Sequence, residues 1–203
     1  MSSSTLPRRS LILGAGLVLT APQLALAQGA KPRVTMKTAQ GTIVIELEDQ
    51  KAPLTSANFL RYVDAKAYDG GQFFRAARSD WAPTEGTIVA QPPATARPFP
   101  PIRHESTTLT GLSHTHGTIS LGRFAPGTAT NTFFICLGDQ SFLDARPDQP
   151  GDNLGYAAFG KVVSGLPTAQ KILAQPTGGE TKFADQKDQW LKTPVIIETL
   201  RRV

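Results

Sequence analysis

Two short segments hold the residues from which chemistry could be built. Gln72-Phe73-Phe74-Arg75 ends an apolar run on an arginine, and Asn131-Thr132-Phe133-Phe134-Ile135-Cys136-Leu137 contains two consecutive phenylalanines. Strands of this kind facing one another suit an apolar pocket with one fixed cation on its wall. A guanidinium stays charged at any working pH and carries five N–H donors, so it offers a charged hydrogen bond rather than proton transfer. Taken alone, Arg75 reads as a surface salt-bridge partner at a strand end. Successive strand residues point to opposite faces, so one of Phe133 and Phe134 belongs to a core and only the other to a pocket; Phe133 is assigned to the core. Tyr156, which opens the run Tyr156-Ala157-Ala158-Phe159-Gly160-Lys161-Val162, reads either as a hydrogen-bonding group at the pocket or as a packed strand tyrosine.

Other chemistries find less support. His104, His114 and His116 lack a further carboxylate at ligand spacing, so they are expected to be solvent-exposed loop residues and no metal site is expected. Cys136 is the only cysteine and sits in an apolar run, where it reads as a small buried hydrophobe. Gly14-Ala15-Gly16 follows no strand and is not a phosphate loop. The cationic excess is spread along the chain with no Lys/Arg block, so nucleic-acid binding is not indicated.

The elements that must position these residues are mostly short strands between Gly- and Pro-rich turns. Strands are expected at 34–37, 42–48, 72–76, 87–90, 117–121, 132–137, 157–163 and 195–201. In Ile43-Val44-Ile45-Glu46-Leu47-Glu48 the odd positions are apolar, giving one dry face. A helix opens at Pro53, where a missing amide donor costs little, and would bury Leu54, Ala57, Leu60 and Val63 or Ala67. A second helix is expected at 167–174. Many strands with two helices indicate an antiparallel barrel or sandwich.

Residues 1–27 read as an export signal. Arg8 and Arg9 precede a mostly apolar stretch, and Ala25-Leu26-Ala27 offers a small-x-small cleavage pattern. The run Pro7-Arg8-Arg9-Ser10-Leu11-Ile12-Leu13 fits either a twin-arginine signal or a general-secretory peptide with adjacent arginines. Both routes leave the cytoplasm, most simply for a bacterial periplasm, with no stable membrane association after cleavage. Residues 28–33 would be a linker and 34–203 one domain, expected to be a monomer. Removing the two arginines takes the formal charge from +5 to +3.

The order and spacing of the Phe-x-Arg segment, the Phe-Phe-Ile-Cys segment and the Tyr156 run resemble the cyclophilins, which are peptidyl-prolyl cis-trans isomerases. The resemblance covers about residues 33–203. It implies a mostly β fold, a closed eight-stranded antiparallel barrel capped by two α-helices, with its active groove on the outside. It also implies an enzyme without cofactor or metal that acts on proline-containing segments of folding polypeptides. Arg75 falls on the family's catalytic arginine, Phe134 on the floor of the proline pocket and Leu143 beside it. Gln91 falls on a groove glutamine that helps hold the arginine, while Gly122 and Arg123 lie where peptide is met chiefly by backbone. Phe73, Ile88, Val89, Thr132, Phe142 and Tyr156 complete the implied substrate-binding set.

Several positions depart from the family pattern. Phe-Met-x-Gln-Gly-Gly appears as Ile88-Val89-Ala90-Gln91-Pro92-Pro93, so two glycines have become rigid prolines. The stretch 76–87 is longer than in compact cyclophilins, and its Trp81 could fill the space of a missing aromatic. Thr132, Phe142 and Tyr156 replace a glutamine, a tryptophan and a histidine, the last two as in bacterial periplasmic cyclophilins. These changes leave a binding module with little turnover, or a chaperone for exported proteins, as alternatives to an isomerase.

Overall fold

The computed structural model describes Met1 and residues 29–203. The expected export signal, Met1 apart, therefore lies outside the described residues. Two contacts fall inside the stretch assigned as linker: the Lys31 ammonium donates to Glu48 Oε1 at 2.6 Å, and the Pro32 carbonyl accepts the Leu47 N–H at 2.9 Å.

Strands β1 (Arg33–Thr38) and β2 (Gly41–Leu47) form a hairpin around Ala39 and Gln40. As the alternation requires, Ile43, Ile45 and Leu47 are fully buried. Helix α1 (Pro53–Asp64) follows. Its N-cap residue, Ala52, has no side-chain oxygen to cap with, and Glu105 supplies the missing acceptor from elsewhere in the chain. The Glu105 carboxylate accepts the Leu54 N–H (3.1 Å), the Thr55 N–H (2.7 Å) and the Thr55 hydroxyl (2.7 Å). That arrangement satisfies orphan donors and places a negative group at the helix N-terminus. Leu60 and Val63 are buried as expected, but the rest of the buried face differs: Leu54 and Ala57 are exposed, while Thr55, Phe59 and Tyr62 turn inward. Two aromatic rings bury more apolar area than a leucine and an alanine, and they set the rotation. Phe59 packs against Phe159 (ring centroids 5.2 Å), Tyr68 (5.4 Å) and Phe133 (5.5 Å) inside the barrel.

The remaining elements are β3 (Gln72–Arg78), β4 (Gly86–Gln91), the single turn α2 (Thr107–Thr110), β5 (Thr118–Leu121), β6 (Phe133–Leu137), a 3-10 turn at Ser141–Leu143, β7 (Ala157–Ser164), α3 (Leu166–Leu173), a 3-10 turn at Ala184–Gln186, and β8 (Trp190–Arg202). The strands close into an antiparallel barrel in the order β1-β2-β7-β5-β6-β4-β3-β8. Thus the closed eight-stranded barrel and its two longer helices match expectation. β8 starts five residues early because Trp190 pairs with Arg75; between that pair and Val195 with Phe73, four residues of β8 lie opposite one of β3.

One irregularity decides the site. In β3, Phe73 pairs with Ala90 of β4 and Arg75 with Val89, so two residues of β3 occupy one step of β4. This β-bulge sends Phe73 and Ala76 into the core but keeps Phe74 and Arg75 on the same outer face.

Candidate active site

Outside the barrel, strands β3, β4 and β6 present Phe74, Val89, Phe134 and Cys136 as a second apolar cluster, with Leu143, Tyr156 and Trp190 packed on it. Val89 pairs directly with Phe134 across β4 and β6. Phe134 meets Tyr156 edge to face at 5.3 Å, and Phe74 meets Trp190 at 4.8 Å. Arg75 stands beside this cluster in a cleft of ≈ 960 Å³ that also takes in Gln91, Gly122, Arg123, Thr132 and Phe142. The structure therefore brings together ten of the residues singled out from sequence.

Two others it does not. Phe73 and Ile88 are fully buried in the barrel core, so neither reaches the cleft. In an unbroken strand Phe73 would share a face with Arg75; the bulge removes it from that face and substitutes Phe74. Ile88 is excluded by ordinary alternation, because its neighbour Val89 is the outward residue. Trp81 does not fill the place of a missing aromatic; it is exposed, and Phe74 with Trp190 forms that wall.

Arg75 is half-buried, and burial pulls its pKa below the ordinary guanidinium value, opposed by Tyr156 and the charge of Asp185. Its Nε–H donates to Gln189 Oε1 at 2.7 Å. Among the described residues its terminal nitrogens make no hydrogen bond, so they remain available in the cleft. The expected holder, Gln91, lines the cleft, but the bond goes to Gln189. That residue is itself fixed by its carbonyl, which accepts the Ala76 N–H at 2.8 Å. Local sequence gives no signal for this partnership, since it depends on how β8 docks on β3.

Behind Phe134 lies a buried polar relay. The His114 ring stacks on Phe134 (5.8 Å, 15°), with Nδ1 2.5 Å from Asp144 Oδ1 and Nε2 2.8 Å from Ser120 Oγ. His114 is fully buried, which corrects its expected exposure; His116 is exposed and His104 half-buried. Burial lowers the His114 pKa, against the hydrogen bond and charge of Asp144. The order Ser-His-Asp invites comparison with a nucleophilic triad, but Ser120 has no exposed surface and cannot attack a substrate. The relay instead ties the pocket floor to the loop carrying Leu143. Cys136 is buried as expected, and burial raises its thiol pKa far above the usual range.

The polar loop after Leu143 is fastened back beneath the cleft. Arg123 donates to both carboxylate oxygens of Asp152 (2.6 and 2.9 Å) and twice to the Gly155 carbonyl (2.8 and 2.6 Å), and lies 5.4 Å over the Tyr156 ring. Gly155 adopts φ +61°, and a Cβ there would fall 2.5 Å from the Leu143 carbonyl oxygen. Only glycine lets the loop close so tightly that Tyr156 N–H donates to that carbonyl at 3.0 Å. The Arg123 side chain is thus a clamp on the loop.

Among the described residues no cluster of His, Cys, Asp or Glu could hold a metal ion. What the cleft offers is an apolar floor, an Arg75 guanidinium whose terminal donors are unspent, and backbone edges. A family model described as cyclophilin type peptidyl-prolyl cis-trans isomerase/CLD matches residues 33–202. A peptidyl-prolyl cis-trans isomerase of Acinetobacter baylyi is 38% identical over 85% of this chain and 85% of its own. Peptidyl-prolyl cis-trans isomerase A of Dickeya dadantii is 36% identical over 91% and 92%. The crystal structure of a Cryptosporidium parvum cyclophilin type isomerase shares the fold, with a TM-score of 0.64 at 18% identity over 85% of this chain and 98% of that one. With barrel, outer cleft and sequence in agreement, the chain belongs to the cyclophilin-type peptidyl-prolyl cis-trans isomerases.

Proposed function

We propose that Arg75 accelerates rotation about X-Pro bonds in exported polypeptides by donating a hydrogen bond to the prolyl nitrogen as the amide twists. The barrier is about 18–20 kcal/mol because of C–N double-bond character, and twisting makes the nitrogen pyramidal and basic. The observation that carries the reading is the geometry of Arg75. Gln189 holds Nε, the terminal donors are unspent, and an apolar floor lies alongside. A twisted amide is less polar than a planar one, so a dry site disfavours the ground state relative to the transition state.

Magnitudes show that the arginine does not suffice. A ten-thousand-fold acceleration needs about 5.4 kcal/mol at 1.36 per decade. One preorganised donor supplies roughly 3–4 kcal/mol. Desolvation over Phe134, Val89 and Leu143 accounts for the difference, so these residues contribute to rate as well as binding.

Action on exported chains rests on the Arg8-Arg9 signal pattern, which puts the enzyme in the periplasm with clients that fold there. Exchange NMR on a short proline peptide tests the catalytic reading, because it reports turnover and binding on one sample. Arg75→Ala should lower kcat/KM by about two to three decades, roughly 2.7–4 kcal/mol, with peptide affinity changed several-fold at most. Normal turnover by Arg75→Ala, or wild-type binding without accelerated exchange, would leave a proline-peptide binding module instead.

A further inference from the structure

Among the described residues three large aromatic side chains are exposed: Trp81 (81%), Phe124 (86%) and Phe142 (55%). All three line the one cleft that contains Arg75. Single exposed apolar residues are ordinary, but the gathering of every exposed aromatic on one cleft is not scatter. Trp81 and Phe124 also lie beyond the prolyl pocket. Trp81 belongs to the connection from β3 to β4, at the barrel end where Gly86 pairs with Leu137. Phe124 belongs to the connection from β5 to β6, at the opposite end, where Leu121 pairs with Phe133. The two therefore stand at diagonal corners of the four strands β3, β4, β6 and β5.

Three strand spacings of about 4.8 Å and roughly five residues of rise at about 3.3 Å put that diagonal near 20 Å, the span of about six extended residues. The volume of ≈ 960 Å³ lies near the top of the range of about 300–1,000 Å³ for pockets that enclose a whole small ligand. A prolyl ring fills a small part of it.

Neither aromatic sits on a slack loop. Ser79 N–H donates to the Glu85 carbonyl at 2.9 Å and Glu85 N–H to Ala82 at 2.8 Å, closing the base of the Trp81 loop. Phe124 N–H donates to the Thr128 hydroxyl at 3.2 Å, which donates in turn to the Ala125 carbonyl at 2.7 Å. Both rings therefore stand on backbone that needs little further ordering on contact.

We propose, resting on the reading of this cleft as an isomerase groove, that Trp81 and Phe124 are flanking subsites for bulky apolar side chains of the client, about three residues to either side of the proline. The occupant is the same extended polypeptide whose prolyl bond lies at Arg75, because the cleft is continuous from one corner to the other. The preferred clients are accordingly unfolded segments with aromatic or large aliphatic residues around the proline, a grouping that folded surfaces rarely display.

The test uses two proline peptides of about ten residues, one with phenylalanine and one with serine about three positions either side of the proline. Binding is titrated, and turnover of a four-residue X-Pro peptide is measured in parallel. The wild type should bind the phenylalanine peptide at least tenfold more tightly. Trp81→Ser combined with Phe124→Ser should reduce that preference to within about twofold while turnover of the four-residue peptide stays unchanged. Both side chains are more than four-fifths exposed, so the replacements leave the core intact. Equal affinity of the wild type for both peptides, or a preference that survives in the double variant, would overturn the proposal. Failure of the wild type to turn over the short peptide counts against the catalytic reading of Arg75, and the two titrations still decide the flanking preference.

Discussion

Arg75 takes its position from Gln189, and that dependence gives the sharpest residue-scale expectation. Loss of the Nε bond leaves the guanidinium charged but free to sample other rotamers, so rate should suffer more than ground-state affinity. Gln189→Leu should lower kcat by roughly tenfold, the worth of about 1.5 kcal/mol for a hydrogen bond to a charged group, with KM within about twofold. Gln189→Glu should restore most of the rate, because a carboxylate accepts the same bond. Equal kcat for wild type and Gln189→Leu would leave the contact without a role. Arg75→Lys should rescue Arg75→Ala poorly, since a point ammonium cannot engage Gln189 and the substrate nitrogen together in the planar arrangement of the fork. That Phe133 and Phe134 divide between core and pocket was legible from strand alternation, but which of them faces the pocket came from the family resemblance. The swap of Phe73 for Phe74 was not legible, because one extra residue in β3 reverses the parity from that point and no local residue type announces it.

Elements in this molecule borrow their ends from one another. α1 has an alanine where a capping side chain belongs and takes its cap from Glu105. Glu105→Ala should therefore cost about 2 kcal/mol, seen as a lower urea midpoint at unchanged m. The existence and order of strands and helices followed from apolar periodicity and turn residues, but long-range caps of this kind have no local signature. The relay behind Phe134 has a pH dependence of definite sign. Burial depresses the His114 pKa below its ordinary value of about 6.5. The unfolded chain then binds the proton more readily than the folded one, so the contribution of neutral His114 is present above that value and is lost as pH falls below it. The stability advantage of wild type over His114→Asn should shrink between pH 7 and pH 5, as followed by denaturant unfolding at each pH. A constant difference across that range would mean that the ring does not titrate as its burial requires.

At the scale of the whole molecule, the export reading leads to a test that the barrel itself cannot supply. Replacing Arg8 and Arg9 with lysines keeps the charge, and if paired arginines are read by a translocase for folded proteins, the variant should stay in the cytoplasm. Normal periplasmic accumulation would point to the general-secretory route. The barrel has its own demand on order. β8 pairs with both β1 and β3, so it is the strand that closes the circle. Arg75 pairs with Trp190 and bonds to Gln189, 114 positions along the chain. Contacts so distant in sequence form late and slowly. A chain still emerging from the ribosome or a translocation pore has its arginine long before it has the residues that hold it. Each new copy of the enzyme must therefore bring its own prolines into place unaided, or with the help of copies already finished.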